Sequence, residues 1–402
     1  MHVDMDSIRR EVNAWLHANW NPEESLVAWR TRLVDSGWAC PSWPEQWFGR
    51  GLPAAADAVV AHEIRNFGAV GPPIGAAMTL VAPTLLEHGS AEMKQRLLRP
   101  LLTGEHSWCQ LFSEPGSGSD LASLSTRADR DGDEFIINGQ KVWNTSAHHA
   151  DYAMLLARTN WDVPKHRGIT YFAFPMHQAG VEVRPLRQMN NHASFNEVFI
   201  TNARVNVSNV VGDVGAGWAV ALTTLSHERR LTVPAPLRAD VSDGRVRNEA
   251  AAEAVEYLKT YEWYPQRAGR PDLVVAQAHA LQRDSDPIVR QQLASLIALQ
   301  RASQWTAQRG VAARALGRAP GPEGSIGKLN ASEIARRSAS AHAMIAGAHA
   351  LLDGPGALER GVIAEVLVSV PAVSIAGGTD EIQHNILGER VLGLPKEPEA
   401  PR

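Results

Sequence analysis

The apolar spacing of this chain changes period twice, and those two changes constrain its architecture more than any other feature. Residues 6–20 place Ile8, Val12, Trp15 and Leu16 on one helical face, and residues 57–67, 80–88 and 91–102 again space apolar side chains by three and four. From 109 to about 211 the pattern becomes short β-rich runs, at 153–157, 169–174, 181–183, 195–200 and 205–211. After Gly217 helical spacing returns, at 218–232, 246–260, 287–316 and 326–352. An α+β multidomain chain is expected: an N-terminal helical domain over 1–108, a central antiparallel β-barrel or sandwich over 109–215, and a C-terminal helical bundle over 216–402.

Punctuation refines these boundaries. Ser90 after Gly89 is placed to cap a helix, and Pro100 is expected to break or bend it. Pro234, Pro236, Gly244, Pro265, Gly269 and Pro271 interrupt what would otherwise be one long helix, so a local rearrangement is expected over 233–271. With 402 residues the chain can bury a substantial core. Trp15, Trp20, Trp29, Trp38, Trp43 and Trp47 all precede residue 50, and core packing is their expected role, because burial is what Trp usually does.

Charge and cysteine usage exclude several classes. A net charge of −4 with 20% charged residues offers no basic surface for nucleic acid. Cys40 and Cys109 provide neither a disulfide framework nor a zinc spacing. The first residues, MHVDMDSIRREVNAW, carry acidic side chains where a signal peptide would be basic, and no apolar run reaches membrane-spanning length. A soluble, cytoplasmic protein is the expectation.

Residues 109–145, CQLFSEPGSGSDLASLSTRADRDGDEFIINGQKVWNT, carry the chemistry. Pro115, Gly116 and Gly118 forbid regular structure and let the main chain approach a ligand, while Ser113, Ser117 and Ser119 supply hydroxyls. Such a loop suits a polar ring or a diphosphate. Asp131-Gly132 and Asn138-Gly139 bracket the alternating segment 133–137, and both are dipeptides of two-residue hairpin turns.

This run resembles the signature of the acyl-CoA dehydrogenase family, in which SEPGSGSD precedes INGQKVWNT by a similar distance. Residues 376–395, AGGTDEIQHNILGERVLGLP, resemble the family's C-terminal signature, and GPEGSIGKL at 321–329 is similar to a segment of many bacterial members. The resemblance implies bound FAD. Phe112 and Ser113 would then line the flavin ring, Ser119 would lie near the diphosphate, Trp143 would pack on the ring face, and Thr145 would hydrogen-bond close to the hydride-accepting N5. Thr379 and Glu381 match positions that meet the adenosine part, although Glu381 reads equally well as a cap for the helix beginning at 380. A buried core Trp is the ordinary explanation of Trp143 alone, and loop capping that of the serines.

Dehydrogenating a thioester between its α and β carbons needs a base for the α-proton, a hydride acceptor and donors for the enolate-like oxygen. A carboxylate serves as base when a dry pocket lifts its pKa. In some branches of the family the base immediately precedes the Gly-Thr of the C-terminal signature, but here that residue is Gly377. Other branches place it in a Glu-Arg pair on the first helix after the β-domain. Glu228-Arg229 matches that pattern, making Glu228 the expected base and Arg229 its substrate-side neighbour; a solvated Glu beside arginines is the ordinary reading. Gly377 keeps a backbone N–H that can hold the oxyanion.

One departure concerns cofactor grip. Family members usually carry an Arg followed by Phe-Gly after the long helix, and a Gln further on, which hold the diphosphate from a neighbouring subunit. YPQRAGRPDL stands in that place, with Arg267 and Arg270 as candidate substitutes for the Arg, and Gln291 or Gln292 in the following helix for the Gln. The resemblance further implies an acyl-CoA substrate, electron-transferring flavoprotein as acceptor, and a homodimer or homotetramer. Competing readings are a non-catalytic FAD- or acyl-CoA-binding subunit of a hetero-oligomer, and an oxidase or monooxygenase on the same fold. Other motifs fail: 210–225 orders its glycines GxxGxG rather than GxGxxG, GPEGSIGKL lacks the first Gly and the final Ser/Thr of a phosphate loop, and His148-His149 lacks partner carboxylates for a metal.

Overall fold

Helices form at the segments the spacing marks, and also at 26–35, 264–267, 274–280 and 362–369, which it does not. In the computed structural model, which describes residues 4–228, 244–315 and 321–396, α1 (Met5–Asn19) starts at Asp4, whose side chain accepts from the Asp6 N–H, and buries Ile8, Val12 and Leu16. α2 (Leu26–Asp35) is capped by Ser25 and α3 (Ala55–Phe67) ends on left-handed Gly68. A single π-turn (Ala77–Val81) leads into α4 (Ala82–His88). Ser90 caps α5 (Ala91–Thr103), its Oγ accepting from Met93 N at 3.1 Å. Of the two outcomes expected at Pro100, a break or a bend, the break does not occur, since α5 continues three residues beyond it.

The chain divides into two units, Met1–Arg187 with Ala193–Thr260, and Gln188–His192 with Tyr261–Arg402. The first holds α1 to α5, one sheet, α6 (Gly217–Glu228) and α7 (Arg245–Lys259). The early tryptophans pack as expected: Trp29 is fully buried, donates to Val70 O at 2.6 Å, and lies against Trp15 and Trp20. Cys40 and Cys109 are buried and free.

The sheet comprises β1 (Trp108–Leu111), β2 (Arg127–Asp131), β3 (Glu134–Thr145), β4 (Tyr152–Arg158), β5 (Ile169–Pro175), β6 (Val181–Leu186) and β7 (Phe195–Asn206). Its order is β1-β4-β2-β3-β7-β6, with β5 also on β4. β1 and β2 run parallel to β4 and the other pairs are antiparallel, so the sheet is mixed. All seven strands contribute to one apolar cluster that includes Phe135, Ile137, Leu155, Phe172 and Val198, with Val181 and Val183 packed on it, so the sheet curls as a half-barrel. The alternate residues Met154, Leu156 and Tyr171 join a second cluster with α4 and α5. That double burial explains why β4 and β5 read as continuous apolar runs.

Two sequence expectations are corrected here. Gly132 (φ +61°) opens the two-residue β2–β3 turn, but Asn138-Gly139 lies within β3, at a register shift against β7. A Cβ at Gly139 would sit 2.4 Å from Thr126 Oγ1, so this glycine serves close strand approach at a bulge rather than a hairpin. The run 205–211 is no separate strand either: β7 absorbs its start, and 207–209 form a 3₁₀ turn.

The second unit contains α8 (Tyr264–Arg267), α9 (Val274–Ala280), α10 (Pro287–Ala315), α11 (Glu323–Ala346), α12 (Val362–Ser369) and α13 (Asp380–Ile386). The rearrangement expected around 233–271 is visible where described: Tyr264 to Arg267 form one short helical turn, followed by left-handed Gly269 and Arg270. His342, fully buried on α11, places Nε2 3.1 Å from Arg270 O and holds that turn. Among the described residues, no helix is long and apolar enough to cross a membrane.

Candidate functional site

The loop entering β2 is built around a buried ion pair. Glu114 accepts from Ser125 N (2.6 Å), Ser125 Oγ (2.8 Å), Thr126 N (2.9 Å) and Lys141 Nζ (2.8 Å), and Lys141 also donates to Phe112 O at 3.0 Å. Their side chains are 4% and 0% exposed. Burial acts against both charges, drawing Lys141 below its ordinary value and pulling Glu114 upward, but Lys141 and the surrounding donors prevail and hold the Glu114 carboxyl at about 2. The pair fixes the carbonyl of Phe112 and the path of the loop at once. Neither residue stood out among the sequence candidates. The signal was there, because Lys141 falls on the same alternating face of β3 as Phe135 and Ile137, and an inward lysine needs a buried counter-charge.

The residues assigned to the flavin ring gather around this loop. Phe112 is buried edge-on to Tyr171, with ring centroids 5.9 Å apart, and Ser113 accepts from Val142 N through its carbonyl at 3.0 Å. Trp143 follows at a register irregularity of β3 with φ +64°, an unusual conformation for a bulky side chain and one that concentrates at functional sites. Its indole is 57% exposed and meets Phe195 edge-on, so the core reading of Trp143 does not hold. Thr145 closes the strand, half-buried. Ser119 is exposed, and nothing lies within 4 Å of a Cβ built on Gly116 or Gly118. The open face of Trp143, and backbone at Gly116 and Gly118 free for close approach, are each features that a planar, polar-edged group could use.

Glu228 ends α6. Gly217 opens that helix tight against β5, where a Cβ would lie 2.5 Å from Tyr171 N. Counting back from Glu228 by helical turns reaches Thr224, Ala221 and Gly217, all buried, so the half-buried Glu228 continues the packed face of α6 rather than its solvent face. Arg229 lies outside the described residues, as do Pro234 and Pro236.

The second unit organises the C-terminal signature around Asp380. Its carboxylate accepts from Lys328 Nζ (2.7 Å), Ser332 Oγ (2.8 Å) and Arg336 Nη1 (2.6 Å), all on α11. Partial burial alone would raise its pKa, and these three donors drive it well below the carboxylate range. Lys328, which mimics a phosphate-loop lysine in sequence, is thereby a structural anchor. Gly377 and Gly378 are left-handed, at φ +70° and +83°, and Gly377 O accepts from Gln383 Nε2. Thr379, not Glu381, caps α13 by accepting from Ile382 N; Glu381 is exposed in the first turn.

The substitute diphosphate clamp fares unevenly. Arg270 is held by Asp272 through Nε–Oδ1 at 3.0 Å and Nη2–Oδ2 at 2.7 Å, while Arg267 lies over the Trp263 and Tyr264 rings; Gln291 and Gln292 are exposed on α10. His149 does have a carboxylate partner, Glu256 at 3.3 Å on α7, which the sequence reading missed because the two are far apart along the chain.

Models of the acyl-CoA dehydrogenase N-terminal, middle and C-terminal domains match residues 5–105, 109–203 and 272–392. Acyl-CoA dehydrogenase IpdE1 of Mycobacterium tuberculosis is 31% identical, covering 98% of this chain and 99% of that protein. Acyl-CoA dehydrogenase FadE34 of the same organism is 36% identical over 93% of this chain, which spans about half (47%) of that longer protein. Among solved structures, the ChsE4-ChsE5 complex from Mycobacterium tuberculosis is 25% identical, with a TM-score of 0.64 and coverage of 99% and 100%.

Proposed function

This chain belongs to the acyl-CoA dehydrogenase family, an oxidoreductase family with a flavin cofactor, and from that premise we propose that it removes hydrogen across the α and β carbons of an acyl-CoA thioester, with Glu228 as the base. The observation carrying the assignment is the placement of Glu228 at the end of the packed face of α6, while the alternative base position is Gly377. A carboxylate whose surroundings are completed by bound thioester loses water, and its basicity rises toward that of the proton it must accept. The backbone N–H of Gly377 is given the thioester oxygen, and Arg229 remains a substrate-side candidate.

Bound FAD would supply the acceptor for the β-hydride. Phe112, Ser113, Trp143 and Thr145 would hold its ring, Ser119 the diphosphate, and Thr379 and Glu381 the adenosine. The ion pair of Glu114 and Lys141 keeps the ring-binding loop in place before the cofactor arrives. Electrons would leave to an electron-transferring flavoprotein, and the protein would work in the cytoplasm as a homo-oligomer. A hetero-oligomer is the second reading, favoured by the likeness to a chain of the ChsE4-ChsE5 complex.

Anaerobic mixing of the FAD-loaded protein with acyl-CoAs of graded chain length, branched and sterol-derived ones included, tests the proposal. One of them should bleach the flavin absorbance, and Glu228→Gln should stop bleaching while acyl-CoA still binds. Undiminished bleaching in that variant removes Glu228 from the mechanism. A colourless chain that cannot be reconstituted points to the binding-subunit reading, and rapid re-oxidation by air with peroxide release to the oxidase.

A further inference from the structure

We propose that Thr224 is a positioning residue, which sets the rotation of α6 and thereby aims the side chain one turn further on; this rests on the reading of Glu228 as the base. Three buried hydroxyls link three elements of the first unit: Tyr171 on β5, Thr224 on α6 and Thr84 on α4, each at most 1% exposed. Thr84 Oγ1 donates to Leu80 O at 2.7 Å and lies 3.0 Å from Thr224 Oγ1, which is 3.2 Å from both Tyr171 Oη and Val220 O.

Each hydroxyl carries one proton, so the distances give the chain a direction. Thr84 commits its proton to Leu80, the shortest of these contacts; the single Thr224 proton is then shared between Thr84 Oγ1 at 3.0 Å and its own helix carbonyl, Val220 O, at 3.2 Å, and Thr224 accepts from Tyr171. Burial pushes the Tyr171 phenol above its ordinary value, so it stays a donor. The chain ends on Leu80 O, a carbonyl of the π-turn Ala77–Val81. A second link runs alongside, with His88 Nε2 2.8 Å from Thr223 Oγ1.

Apolar packing alone would not require this arrangement. Val220 and Ala221 already bury the face of α6, and a valine at 224 would fill the same volume. What the hydroxyl adds is direction, since hydrogen bonds weaken steeply off axis whereas hydrophobic contact does not. Thr224 precedes Glu228 by four residues on one face, so a small rotation at 224 passes directly to the carboxylate. Misplacement of a reacting group by about 1 Å can cost on the order of a hundredfold in rate.

The test compares Thr224→Val, Thr224→Ser and Tyr171→Phe in the full chain. Without cofactor, hydrogen–deuterium exchange of the amides near 225–228 should speed up in Thr224→Val and remain slow in Thr224→Ser. With FAD, Thr224→Val should bleach roughly ten- to a hundredfold more slowly at unchanged acyl-CoA affinity, and Thr224→Ser should restore most of the rate. Equal loss in the Val and Ser variants, or a wild-type rate in Thr224→Val, overturns the inference. If Thr224→Val does not fold, Tyr171→Phe decides: partial rate loss supports the chain and a wild-type rate refutes it. Fully active Thr224→Val beside an inactive Glu228→Gln defeats only the positioning role, whereas an active Glu228→Gln defeats the base assignment beneath it.

Discussion

At the scale of single residues, the loop of residues 112–126 depends on a charge pair whose energetics are asymmetric. Replacing one member of a buried pair costs about 3–5 kcal/mol because it strands the other, a large share of the roughly 5–15 kcal/mol that holds a domain together. Lys141→Met should therefore lower the thermal midpoint sharply at pH 7, and the double variant Glu114→Gln with Lys141→Met should recover part of the loss, as seen by calorimetry. The sign with pH follows from the lowered carboxyl. Held at about 2 in the folded protein against about 4.3 unfolded, Glu114 contributes stability that is complete above pH 5 and lost as pH falls toward 2. The midpoint difference between wild type and the double variant should shrink between pH 5 and pH 3; a constant difference would show that the pair does not titrate with folding. Trp143 and Glu228 stand out in the sequence because they fall at motif positions of the family. Glu114 and Asp380 do not, because their partners converge only after folding, and Lys141 is marked only by its place on the inward face of β3.

At the scale of elements, periodicity identified the longer helices and most strands but not α2, α8, α9 or α12, while turn chemistry misled where a glycine answers to a neighbouring strand. Asn138-Gly139 has the composition of a hairpin, yet β3 runs through it because Thr126 packs against the bare Cα of Gly139. Sequence spacing carries no information about that crossing backbone. Gly139→Ala should cost about 1–3 kcal/mol through overpacking and shift the melting temperature down. Gly132→Ala also adds a methyl, but into open space at φ +61°, so its cost is backbone strain alone, about 1 kcal/mol. Equal destabilisation by the two would mean that the clash at Gly139 is relieved by movement of Thr126. The C-terminal signature shows the converse case: its loop was readable as a loop, but its anchoring by α11 through Lys328, Ser332 and Arg336 required the tertiary fold.

At the scale of the whole chain, several large apolar side chains stay open to solvent. In the second unit Ile288 (63%), Trp305 (65%), Leu351 (73%), Ile375 (65%) and Leu392 (71%) lie open, and in the first unit Trp161 does as well as Trp143, which has a proposed ligand. Scattered exposed aliphatic side chains need no explanation singly, but a Trp 65% exposed on α10 is of the residue type enriched among the anchors of protein contacts. Stable association between proteins buries about 1,600 Å² in total, and area of that kind is dominated by a few aromatic anchors. Trp305 is the natural anchor here. Light scattering of the purified chain should therefore give a mass at least twice the 43.7 kDa of one copy, and Trp305→Glu, by burying a charge in the contact, should return it to the mass of a single chain. If wild type is monomeric alone but forms a stable complex with a co-expressed homologous chain, the covering partner is a different subunit and the hetero-oligomeric reading prevails over the homo-oligomeric one.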